Sequence, residues 1–201
     1  MIHLTIASQE NVLPWWSHEY LAFALLAAVL LAAAFFDIRT TRIPTKMLYT
    51  AIVLGFVLAA ACGLARDGWS GMSMGLGLAG LAFLSAAVPF FLIFHAGGLG
   101  GGDVKLMAAV GAISASWEVV IGTAMYGFVA AMIIAFGVMI KNKIVGRTLK
   151  RVATAALLTA TTKVKPNLDT DTPRIPLAVG FCIGGVLASL EFLLNVRMPW
   201  G

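Results

Sequence analysis

The chain has 201 residues, 60% of them hydrophobic and only 11% charged, with a formal net charge of +5. That charged fraction is less than half of the roughly 25% usual in soluble domains. Long apolar runs recur between residues 20 and 194. Together these exclude a soluble domain built around one core and point to an all-α, polytopic membrane protein. In such a chain, surplus Lys and Arg mark cytoplasmic loops rather than a nucleic-acid surface.

Residues 1–19 contain Glu10 and Glu19 but no Lys or Arg, so they lack the basic start of a cleavable signal peptide. Trp15 and Trp16 suit an interfacial anchor before the first span. The first apolar run, 20–36, ends at Asp37. A polar link follows, with Arg39, Arg42 and Lys46 in it, and Pro44 suited to the first turn of a new helix. The second run is 47–65, closed by Arg66-Asp67-Gly68, and the third is 72–95, rich in Gly and Ala as close helix packing in a membrane allows.

The stretch Gly97-Gly98-Leu99-Gly100-Gly101-Gly102-Asp103 comes next. It leads into a short run, 104–116, of about 20 Å if helical. Trp117-Glu118 marks an interface, and 119–140 is a full span. Residues 141–174 form a basic segment, and 177–194 is the last span, entered through Pro173 and Pro176. No internal repeat and no separate soluble domain is visible. The whole of 1–201 reads as one membrane domain with a cytoplasmic basic loop at 141–174.

Charge placement supplies a topology. With six spans and both termini outside, Arg39, Arg42, Lys46, Lys105, Lys141, Lys143, Arg147, Lys150, Arg151, Lys163, Lys165 and Arg174 are cytoplasmic. Only Arg66 and Arg197 fall outside, as the positive-inside rule requires. If 104–116 did not cross, the cluster from Lys141 would move to the face opposite Arg39, so the short helix is expected to cross, sheltered by its neighbours. Asp37 and Asp103 then lie at one membrane depth on one face.

Two carboxylates at a shared site cannot both ionise cheaply, so one stays protonated. That is the requirement for peptide hydrolysis by an aspartic pair. The ionised group takes a proton from water, and the neutral group protonates the scissile carbonyl. Other readings stand beside it at this point. Asp103 follows glycine and precedes an apolar run, as a helix N-cap does. Asp37 can pair with Arg39 or Lys46. Two carboxylates also suit a hard cation, and a small transporter or ion-conducting protein using them as ion sites is the alternative function.

At these links the sequence resembles the type IV prepilin peptidase family of GxGD membrane proteases. Gly100-Gly101-Gly102-Asp103, continued by Val104-Lys105, fits GxGD, and Asp37-Ile38-Arg39 followed by Ile43-Pro44 fits the family's first-aspartate motif. Arg174-Ile175-Pro176 is similar to its late proline-containing motif. The resemblance implies an aspartic endopeptidase of the bacterial inner membrane. It would remove the short basic leader of type IV prepilins or pilin-like precursors at the cytoplasmic face, with Asp37 and Asp103 as the catalytic pair. Longer members carry two CxxC pairs in an insertion after the first span and also methylate the new N-terminus. The only cysteines here, Cys62 and Cys182, lie in apolar runs. The chain looks like the short, peptidase-only form found with tight-adherence (Flp) pili.

The site-shaping candidates beside the aspartates are Gly100, Gly102, Lys105, Arg39, Pro44 and Pro176. Gly100 and Gly102 are expected to shape the backbone, and Lys105 to snorkel to the interface. Glu118 and Glu191 are expected to be solvated on the outer face. His3, His18 and His95 are scattered, and no metal or cofactor site is read. The expected partners are a prepilin-like precursor and the lipid bilayer, with no nucleic acid; nothing in the sequence sets an oligomeric state.

Overall fold

The computed structural model describes residues 16–40, 43–141 and 177–194. Trp15, Arg42, Pro176, Arg197 and all of the basic segment except Lys141 lie outside them. The described residues form five helices: α1 (Trp16–Thr40), α2 (Thr45–His95), α3 (Gly101–Ser114), α4 (Trp117–Lys141) and α5 (Leu177–Leu193). Three of them, α1 from Tyr20, α2 and α4, are long and apolar enough to cross a membrane. Large apolar side chains such as Leu31, Leu81, Phe91 and Ile133 are exposed around the outside, as a lipid-facing surface requires.

α2 is two helices in one. At Asp67 and Gly68 the backbone leaves helical geometry, with Gly68 at φ 62°, ψ −139°, a conformation available essentially to glycine alone. The chain doubles back there. Gly63 meets the backbone of Gly71, and Gly75 faces the Ala59 carbonyl across 2.6 Å from where a Cβ would stand. The two halves therefore run antiparallel, as the Arg66-Asp67-Gly68 punctuation predicts.

α3 packs between them. Gly55 lies against the Ala112–Ile113 backbone and Gly111 against Ala82 and Phe83. Its residues 106–113 are buried without interruption. Fourteen residues give about 21 Å of helix, less than a bilayer core. The expected shelter of this short helix is present. It ends at Ala115, in left-handed backbone (φ 48°), whose N–H donates to the Gly111 carbonyl at 3.0 Å.

The other three helices pack among themselves. α4 and α5 approach through glycines: Gly180 against the Gly127 carbonyl, and Gly184 against Gly127 and Thr123. α1 lies on α5 through Leu30 against Gly185 and Phe23 against Phe192. Contacts between the α2–α3 group and the α1–α4–α5 group are sparser than those within each. The residue pairings make successive segments alternate in direction. The C-terminal end of α1, both ends of α2, and the N-terminal ends of α3 and α5 share one end of the bundle.

Glu191 departs from expectation. It is not simply solvated: the Tyr126 hydroxyl donates to its Oε2 at 2.8 Å, tying α4 to α5. Glu118 is exposed, as expected. One buried polar atom, Thr123 Oγ1, has no hydrogen-bond partner among the described residues. Thr123→Val removes that hydroxyl at nearly constant shape. It is expected to stabilise the fold by about 1 kcal/mol, read as a higher Tm for unfolding in detergent micelles.

Candidate active site

Asp37 sits in the last turn of α1 and Asp103 in the first turn of α3, both half-buried at the shared end of the bundle. Each belongs to a different helix group, so the site straddles the seam. The links around them interlock. Ile43, ahead of α2, packs on Gly102, with 3.6 Å from a Cβ placed there to the Ile43 side chain. Pro44 is extended (φ −60°, ψ 115°) and caps α2 one residue before the helix, rather than lying in its first turn.

Asp103 is not the N-cap. Gly100 holds that position, with Gly101 and Gly102 already helical and Asp103 third in the helix. The backbone N–H of Asp103 donates to the Gly100 carbonyl at 3.1 Å, and its carboxylate turns back over Gly100. A Cβ at Gly100 would stand 3.0 Å from Asp103 Oδ2, so a larger residue there crowds the carboxylate. Gly102 has room for a Cβ, at ordinary contact distance from Ile43. In this stretch only Gly97 adopts positive φ, at 83°. The conformational need for glycine is therefore at the turn, six residues before Asp103.

The other candidates divide. The Arg39 guanidinium lies over the ring of Phe35, 4.5 Å from its centroid. Lys105 Nζ lies over Tyr49, 5.3 Å from the centroid, which joins α3 to the start of α2. Among the described residues, no ion pair links Asp37 to Arg39 or Lys46. Instead Asp37 Oδ2 accepts a hydrogen bond from the backbone N–H of Ala178, second residue of α5, at 3.1 Å. No side-chain pattern signals a backbone donor, so sequence reasoning misses it.

Asp103 precedes the apolar run 104–116 at the edge of the bundle. Burial, then the charge of Asp37, push its carboxyl up to about 6, against the pull of the Gly100 backbone hydrogen bond. The two carboxylates are thus close enough to influence one another. Asp37→Asn removes the charge and leaves the burial. Asp103 is then expected to titrate below about 6 but still above the ordinary aspartate value, followed through the pH dependence of carbodiimide labelling at Asp103.

Residues 24–140, more than half of the chain, match the type IV leader peptidase family. The chain belongs to that family. No curated protein and no solved structure matches it. Asp37 and Asp103, with the motifs around them, lie inside the matched span. Among the described residues, no cluster of three or more His, Cys, Asp or Glu could hold a metal. A cavity of about 320 Å³ opens at the far end of the bundle, lined by Phe23, Cys62, Arg66, Met74, Ser114 and Phe192. It does not touch either aspartate. The two carboxylates instead lie half-buried at the opposite end, Asp37 on α1 beside the start of α5 and Asp103 on α3.

Proposed function

We propose that the chain is an aspartic endopeptidase that removes the leader of type IV prepilin or pilin-like precursors, with Asp37 and Asp103 as its catalytic pair. The observation that carries this reading is the placing of two carboxylates from separate motifs at one end of the bundle, where the charge of Asp37 adds to burial in raising the proton affinity of Asp103. Such coupling yields one charged and one neutral carboxyl. The charged one takes a proton from water as the water oxygen adds to the scissile carbonyl carbon. The neutral one gives its proton to the carbonyl oxygen. In the breakdown step those protons pass to the leaving nitrogen and back to the second carboxylate, releasing leader and mature pilin.

The proposal includes six spans in one membrane domain, both termini outside, and a cytoplasmic site in the inner membrane. The alternating directions of the helical segments favour it. So does charge: Arg39, Lys46, Lys105 and Lys141 share the aspartate end, with Arg66 at the other. The link between α1 and α2 is only residues 41–44 and holds no CxxC pair. This supports a peptidase without methyltransferase activity. An ion-conducting role is disfavoured by the position of the carboxylates at the bundle end.

The test co-expresses the chain with a prepilin carrying a basic leader ending in glycine. The expected result is a shorter pilin on an immunoblot and an unmethylated new N-terminus by mass spectrometry. An intact leader in the presence of inserted protein overturns the reading.

A further inference from the structure

We infer that the first turn of α5, through the backbone N–H of Ala178, is a positioning element that makes Asp37 the proton-accepting member of the pair and leaves Asp103 the proton donor. The inference rests on the proposed peptidase reading and goes beyond it, by giving the two aspartates different tasks.

Their own helices favour the opposite assignment. Asp37 lies in the last turn of α1, where exposed carbonyls disfavour negative charge. Asp103 lies in the first turn of α3, where free N–H groups favour it. Two features reverse that preference. Asp103 is the more deeply enclosed carboxyl, folded back over Gly100. Asp37 receives the N-terminal end of a third helix, with the Ala178 N–H 3.1 Å from Oδ2. A hydrogen bond donated to a carboxylate stabilises its charged form. The raised proton affinity of Asp103, up to about 6, agrees with its part as the donor.

Among the described residues, this is the hydrogen bond that favours the charge of Asp37. Of the elements packed near Asp37, α3 carries Asp103, a like charge when ionised, and Lys105, which lies over Tyr49, while Lys46 of α2 makes no ion pair with Asp37 among the described residues. On α1, Arg39 is engaged with Phe35. On α5 the charged side chain, Glu191, is at the far end with Tyr126. The motif Arg174-Ile175-Pro176 ends just before Leu177, where α5 begins.

The test replaces the Ala178 amide by an ester, installing lactic acid at position 178 by nonsense suppression during cell-free synthesis into nanodiscs. Cleavage of a synthetic precursor with a basic, glycine-terminated leader and an apolar helix is followed from pH 5 to 9. The expected result is that the acidic limb of kcat moves up by about one pH unit, with KM unchanged. An ester at Val179, and Ala178→Gly, should leave the limb in place. A limb that stays put in the 178 ester overturns the inference, as does a loss equal at every pH, which a purely structural bond would give. If Asp37→Asn and Asp103→Asn cleave the precursor like the unaltered protein, it is the peptidase reading that fails instead.

Discussion

Asp37→Asn and Asp103→Asn are each expected to lower the rate of leader removal by about 10²–10⁴-fold, the range general acid–base groups contribute. Each change keeps the shape of the side chain and removes its proton chemistry. With Asn at 103, the group over Gly100 can still accept a hydrogen bond but cannot deliver a proton to the scissile carbonyl. With Asn at 37, the amide oxygen can still accept the Ala178 N–H but takes no proton from water. The double substitution should cost little more than either single one, because the pair acts as a unit. Immunoblots of precursor processing, normalised to inserted enzyme, measure this. Retained processing by either single variant removes that aspartate from the mechanism. A loss of inserted protein is not expected, since neither residue belongs to the buried core between the helices.

Much of this arrangement was legible in the sequence because membranes limit the choices. Apolar runs had to be helices, and the Lys and Arg positions oriented them, so Asp37 and Asp103 could be brought to one end before any contact was known. The shelter of the short α3 followed from the same reasoning. What escaped was carried by groups with no side-chain signature. Ala178 contributes only its N–H, and alanine in an apolar run carries no sign of that. Within the glycine stretch, a repeated residue type concealed different jobs: Gly97 makes the turn, Gly100 caps α3, and Gly101 and Gly102 are its first turn. Asp103 looked like a cap because it precedes the apolar run, but the helix begins earlier, at Gly101. Glu191 looked solvated because its partner, Tyr126, lies in another helix.

Gly111→Ala is expected to destabilise the fold by about 3 kcal/mol and to abolish leader removal. The position is in the middle of α3, where a Cβ would run into the carbonyl of Ala82 in the second half of α2. That atom is backbone, so no rotamer change makes room; the helices must separate. Separation is costly because α3 is clamped on both sides, with Gly55 of the first half of α2 meeting Ala112 at 2.7 Å from where its own Cβ would stand. A shift of α3 also moves Asp103, two to three turns away on the same rigid helix, relative to Asp37 on α1. Activity is therefore more sensitive than folding: a displacement near 1 Å is enough to cost about 10²-fold. Gly77→Ala is the matched control, in the second half of α2 with nothing within 4 Å of the new methyl group. There the same substitution only restricts the unfolded chain and should raise stability by about 0.5–1 kcal/mol. Thermal unfolding in micelles together with precursor cleavage separates the two. If Gly111→Ala matched Gly77→Ala in Tm and rate, the close packing of α3 against α2 could not be what holds Asp103 in position.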